Sequence, residues 1–228
     1  MYFRNLILSA MAVAIVAGLF LSLYQHFFIT PIILASELYE VTEPNATGVA
    51  EAWSPEEGTE RSSFSLMANF LVCFAFSLLL LSAMAVRTSI KLSQGIFWGG
   101  AAYLSVFIAP ALGLLPEIPG MEAAHLEGRQ SWWLLTVLLT GIGLWLIAFK
   151  SITLKGIGGG LLLIPHLIGA PQPEIHGFVN TDPHAINVLT MLWHDFILQT
   201  SVANGLLWLI IGMLSALLTA KFIHPLNS

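Results

Sequence analysis

Long apolar runs separated by short polar or acidic stretches dominate the chain. Six stand out, at Asn5–Ile29, Phe64–Val86, Gln94–Leu115, Trp132–Phe149, Ile152–Gly169 and Phe196–Ala220. Each is close to the roughly 20 residues that a helix needs to cross a hydrocarbon core about 30 Å thick. None has a charged residue near its centre, and in lipid a helix satisfies all of its own backbone groups. The pattern predicts an all-α fold, a polytopic transmembrane helical bundle of about six spans forming one membrane domain over residues 1–228. The first run follows Arg4, as in a secretory signal. It is longer than the apolar core of such signals, so it is expected to remain as a span.

The fifth run is the weakest. Gly156-Ile157-Gly158-Gly159-Gly160 opens it and Pro165 interrupts it, which leaves a broken or re-entrant segment as the alternative to a full span. No Gly-Lys-Ser/Thr follows these glycines, so they form no nucleotide loop; close helix packing is their expected use. The odd-numbered runs also end alike, at Phe28-Ile29-Thr30-Pro31, Phe107-Ile108-Ala109-Pro110 and Leu162-Leu163-Ile164-Pro165, each followed within nine residues by Glu37, Glu117 or Glu174. That similarity suggests three helical hairpins, each kinked near its outer end where proline removes a backbone donor.

Composition sharpens the membrane reading. Hydrophobic residues make up 57% of the chain and charged residues 9%, against about 25% charged in soluble domains. The lone Cys73 excludes an intrachain disulfide and a cysteine-based zinc or iron–sulfur site. On a six-span layout, Arg4, Arg87, Lys91, Lys150, Lys155 and Lys221 fall on one side with no acidic residue. Arg61 and Arg129 fall on the other with all 13 acidic residues. Basic residues are retained in the cytoplasm, so both termini are expected there, in a cell inner membrane, with the acidic loops outside. Five spans would move segment 170–195 inside and Lys221 outside, and would spoil this asymmetry.

The candidate chemistry is metal binding. His26, His125, His166, His176, His184 and His194 map to the outer half, and His224 to a tail. His26, His166, His184 and His194 lie at or near span ends and are the expected metal ligands. Imidazole with carboxylate and no thiolate suits Co²⁺, Ni²⁺ or Zn²⁺ rather than Cu⁺, although Met191 and Met213 leave an opening for copper. A lone histidine at a membrane interface is ordinarily just an amphipathic headgroup-level residue, and no HExxH motif is present. On one helix, His184 and His194 would be separated by about 15 Å of rise, too far to chelate one ion together.

Other polar features have two readings each. The loop 31–63 holds seven glutamates and Pro44 and Pro55, which suits a solvated loop or a cation-attracting mouth. It also contains the glycosylation-like triplet Asn45-Ala46-Thr47. Gln25, Asn69, Ser77, Gln199, Ser201 and Asn204 suit a polar path or interhelical hydrogen bonds. Trp132, Trp133 and Trp193, with Trp98 at the opposite boundary, suit an interfacial belt. No nucleophile–base pair and no nucleotide loop are present, so no enzyme, organic cofactor or nucleic-acid partner is expected.

Arg4-Asn5-Leu6, Leu23-Tyr24-Gln25-His26, Leu163-Ile164-Pro165-His166-Leu167-Ile168-Gly169-Ala170-Pro171 and Trp193-His194-Asp195-Phe196 together resemble the CbtA family of cobalt transporter subunits. The likeness covers most of the chain, as overall layout and short stretches. It implies a multi-span subunit in the lipid bilayer, paired with CbtB, a small single-span histidine-bearing partner, and Co²⁺ as the ion carried for cobalamin synthesis. It brings no ligand set. The rival expectation is a non-transport membrane subunit, a haem-binding or assembly component with His26 and His166 as axial ligands. A third is a purely structural partner for another permease.

Overall fold

The computed structural model describes residues 2–40, 55–56, 58–87, 89–174 and 177–223. Among these, the secondary structure is helical apart from one isolated bridge, between Met121 and Phe178. The chain is an all-α polytopic transmembrane bundle. Its helices are α1 (Tyr2–Glu37) and α2 (Thr59–Ala85), then α3, built from Gln94–Tyr103, Leu104–Ile108 and Ala109–Ala111. They continue with α4 (Leu126–Phe149), α5 (Ile152–Ile168) and α6 (Pro183–Ile223). One helix falls on each predicted run. The triplet Asn45-Ala46-Thr47, Glu43, Glu51, Glu57, His176 and His224 lie outside the described residues.

The helices depart from the predicted bounds at the prolines. α1 continues through Pro31 to Glu37 because the turn before the proline widens into a π turn, Gln25–Ile29, in which Thr30 N–H donates to the Gln25 carbonyl. α3 repeats the device in the same register: Leu104–Ile108 is a π turn, Ala109 N–H donates to the Leu104 carbonyl, and Pro110 follows. A widened turn gives the proline ring the room that a regular helix denies it. The shared ending seen in the sequence therefore marks a shared backbone device in the first and third helices. Pro165 carries no such turn. It sits in the last turn of α5, and α5 runs unbroken for 17 residues to Gly169, whose φ of 87° ends it. At about 25 Å it is long enough for a short span, and no break appears at Pro165.

α6 begins well before its predicted start. Asp182 opens it: its carbonyl accepts from Ile186 N–H at 3.0 Å and its Oδ1 from His184 N–H at 3.2 Å, with Pro183 at the first helical position. The helix is 41 residues long, about 60 Å, so its first turns extend beyond a hydrocarbon core.

The chain divides into two compact units. The first comprises Met1–Pro31, Val41–Gly99 and Gly205–Ser228. Lipid offers no hydrophobic drive for helices to associate, so close approach through small residues does the holding. Ala10, Val13, Ala14 and Ala17 of α1 are fully buried, and a Cβ on Gly18 would lie 3.2 Å from the Phe70 Cα of α2. The start of α3 meets α6 glycine to glycine: a Cβ on Gly95 would lie 2.7 Å from the Gly212 carbonyl, and one on Gly212 2.8 Å from the Gly99 Cα. Leu6, Ala10, Leu81 and Ile223 form an apolar core, and Asn5 Nδ2 donates to the Phe222 carbonyl at 3.0 Å.

The second unit comprises Ile32–Glu40 and Gly100–Asn204. α4 and α5 touch at Gly143 and Gly158, where a Cβ on either would stand 2.7 Å from the other's carbonyl oxygen. Of the glycine cluster in α5, only Gly158 makes this contact; Gly156, Gly159 and Gly160 have nothing within 4 Å of a Cβ. The described parts of the segments after α3 and α5 pack into a cap. Val179 N–H donates to the Gly120 carbonyl at 3.0 Å, Asn180 Nδ2 to the Tyr39 carbonyl at 3.0 Å, and Trp193 Nε1 to the Pro116 carbonyl at 2.8 Å. Ile118, Ala124, Ala185 and Leu189 are buried.

Candidate functional site

Of the four histidines singled out by the sequence, His166 and His184 stand at helix ends, whereas His26 and His194 lie inside α1 and α6. His26 is exposed in the π turn of α1, its ring edge-on to Phe27 at 5.0 Å. The neighbouring Gln25 is fixed from α2: Asn69 Nδ2 reaches Gln25 Oε1 at 2.6 Å and Ser22 Oγ at 3.0 Å. Gln25 and Asn69 are thus interhelical partners, one of the two uses expected. Because Gln25 and His26 share one turn, the Asn69 contact also helps fix the rotation of the turn that carries the imidazole.

His166 is half-buried in the last turn of α5. Trp132 packs on it edge-on, with ring centroids 6.2 Å apart, and donates its indole N–H to the Pro165 carbonyl at 3.2 Å. Trp132 is only 5% exposed. It is therefore a buried strut rather than the interfacial belt residue suggested by its position next to Trp133. A Cβ on Gly113 would collide with it at 2.5 Å, so Gly113 is small because the indole fills that space. Changing Trp132 to Phe removes one buried hydrogen bond, worth about 1 kcal/mol. A thermal melt in detergent is expected to fall by about 2–4 °C, with unchanged helix content by circular dichroism.

His184 and His194 are both exposed on α6, ten residues apart as the sequence suggested. His194 lies 5.7 Å from the neighbouring Trp193 ring. His125, immediately before α4, is exposed, and its carbonyl accepts from Arg129 N–H at 3.1 Å. Among the described residues, no three His, Cys, Asp or Glu side chains come together as a group able to hold a metal ion.

Two further polar features carry no signal in the sequence. Arg129 pairs with Glu117 at 2.9 Å, next to the cap. Four hydroxyls are buried without a hydrogen-bond partner among the described residues: Ser77, Ser215 and Thr219 in the first unit and Thr140 in the second. Ser77 is one of the residues that suit either a polar path or interhelical hydrogen bonds. Ser201 and Asn204 instead bond back along α6, to the carbonyls of Ile197 at 2.6 Å and Thr200 at 2.9 Å.

A family model described as "Probable cobalt transporter subunit (CbtA)" matches residues 3–220. The chain belongs to the CbtA family. The match runs through all six helices, so the resemblance carried by the short stretches around His26, His166 and His194 extends over almost the entire chain. No curated protein and no solved structure matches it. As a CbtA-family member, the chain is a transmembrane subunit, and its helices give it the apolar length that such a role requires.

Proposed function

We propose that this chain is the membrane subunit through which a divalent transition-metal ion, Co²⁺ before Ni²⁺ or Zn²⁺, enters the cell. The carrying observation is the family match over residues 3–220. His26, His166, His184 and His194 are the proposed capturing ligands, helped by the acidic loop 31–63. Each offers one nitrogen, whereas a first-row divalent ion takes four to six donors, so water and a partner complete the shell. That partner is a small single-span histidine-bearing subunit of the CbtB type, and the word "subunit" in the family description supports it. Inward movement draws on the membrane potential, about 2.3 kcal/mol per charge per 100 mV. The buried hydroxyls of Ser77, Ser215 and Thr219 are polar groups that such a path can use.

The proposed setting is the cell inner membrane with both termini in the cytoplasm, supported by the basic residues alternating between sides. Reporters fused after Glu127 and Asp182 are expected to read as external, and those after Lys91, Leu154 and Ser228 as cytoplasmic. A cytoplasmic signal after Asp182 would overturn this topology. The direct test of function is Co²⁺ binding by the purified protein, measured by metal analysis after equilibration and washing. Bound cobalt that Mg²⁺ does not displace is expected. A protein that binds no cobalt but shows a strong Soret band would instead be a haem subunit.

A further inference from the structure

A lateral groove of about 550 Å³ opens between α3 and α4 within the second unit. Its walls are mostly aliphatic and aromatic, including Phe107, Ala111, Leu114 and Leu134, but toward one end it carries Glu117, Arg129 and Gln130. On α4, Arg129 precedes Leu134 by five residues, so the charges stand about 8 Å above the apolar floor. The two charged groups touch at 2.9 Å, yet their side chains remain 22% and 33% exposed. Each keeps unused capacity: a guanidinium has five N–H donors, and a carboxylate has a second oxygen.

A groove that is apolar along its length, with both signs of charge at one end, matches an amphiphile whose head carries both signs. We propose that it holds one phospholipid with a primary-amine headgroup, its phosphate on Arg129, its ammonium on Glu117 and an acyl chain along the α3–α4 cleft. An anionic headgroup satisfies Arg129 but brings its charge against Glu117. A quaternary amine satisfies the charges but has no N–H to donate to the carboxylate. The primary amine alone answers both groups. The smaller groove between α1 and α2, about 380 Å³ and lined by residues such as Ile15, Leu19, Leu66 and Phe70, contains no charged residue. It therefore has no means of selecting a headgroup. This inference does not depend on metal transport.

The test uses the detergent-purified full chain, equilibrated with equal amounts of phosphatidylethanolamine, phosphatidylglycerol and phosphatidylcholine and read by native mass spectrometry. Phosphatidylethanolamine is expected to be retained over each of the others by about tenfold, the worth of one charge-assisted hydrogen bond. Glu117→Gln should erase the discrimination against phosphatidylglycerol, and Arg129→Gln should weaken retention of all three. Ala111→Trp fills the groove and leaves both charges in place; it should lower phosphatidylethanolamine retention with helical circular dichroism intact, and it decides the matter if the charge variants fail to fold. Equal retention of the three lipids, a preference for phosphatidylglycerol, or selectivity unchanged by Ala111→Trp would overturn the assignment. So would a dimer of the chain that excludes lipid and is broken by Ala111→Trp, which would make the groove a protein interface.

Discussion

Replacing His166 by alanine is expected to cut Co²⁺ accumulation to about a tenth in cells that depend on this chain at limiting cobalt. Of the four proposed ligands it is the best preorganised: half-buried, at the end of α5, with its ring against Trp132 and its turn held through the Pro165 carbonyl. A ligand whose rotamer is already fixed loses little entropy on binding, so its removal costs more than that of a freely rotating one. Disturbing even the residues that orient a metal ligand typically lowers affinity 10–100-fold, and removing the ligand itself should do no less. His26→Ala, His184→Ala and His194→Ala should each lower uptake as well, whereas His125→Ala should leave it near normal. Near-normal uptake by all four variants, at wild-type protein levels, would rule out the proposed ligand set.

The second large effect is structural. Gly212→Leu is expected to destabilise the fold by about 3 kcal/mol or more, the upper range for forcing bulk into a packed interface. Even a Cβ there would stand 2.8 Å from both the Cα and N of Gly99, so the leucine must push the start of α3 away from α6. Gly100→Ala, one residue along α3, makes the control. Nothing lies within 4 Å of a Cβ at that position, and alanine in a helix gains about 0.5–1 kcal/mol over glycine. Size-exclusion chromatography after graded heating should show Gly212→Leu lost at markedly lower temperature, and Gly100→Ala equal to or above the parent. Survival of Gly212→Leu at the parent's temperature would mean that α3 and α6 do not pack through these glycines.

The helices were legible because lipid imposes a simple rule on sequence: uninterrupted apolar length with no central charge. Each of the six runs carries a helix, and among the described residues four of these, α1, α2, α4 and α6, are long and apolar enough to meet the rule in full. What the rule cannot supply is where a helix ends once it leaves the hydrocarbon. α1 passes Pro31 because a π turn makes room for the ring, and α6 starts at Pro183 because Asp182 caps it. The repeated Phe-Ile-x-Pro ending was visible, but its backbone meaning, the matched π turns at Gln25–Ile29 and Leu104–Ile108, was not. Glycines were legible as packing signals but not individually. Gly158 touches Gly143, while Gly156, Gly159 and Gly160 point at open space, and helix phase alone separates them.

The candidate site was less legible for a different reason. A metal site is a matter of convergence in space, and the histidines are spread over α1, α5 and α6 with no close sequence spacing between them. His166 and His184 do lie at helix ends, but His26 and His194 fall inside α1 and α6, because those helices run past the apolar stretches. Trp132 illustrates the same limit. Its neighbour Trp133 and its place near a span boundary suggested a belt residue, yet its indole is buried and bonded to the Pro165 carbonyl. No local pattern signals a hydrogen bond to a residue 33 positions away.

The central claim is that this chain conducts a divalent metal ion as one subunit of a transporter, needing its small partner to complete coordination. Radiolabelled Co²⁺ uptake into proteoliposomes under an inside-negative potential tests it directly, first with the chain alone and then with the histidine-bearing partner. The account predicts little saturable uptake by the chain alone, and saturable, potential-dependent uptake when both are present. Full saturable uptake by the isolated chain would contradict the need for a partner, and no uptake with both would contradict the transport function itself.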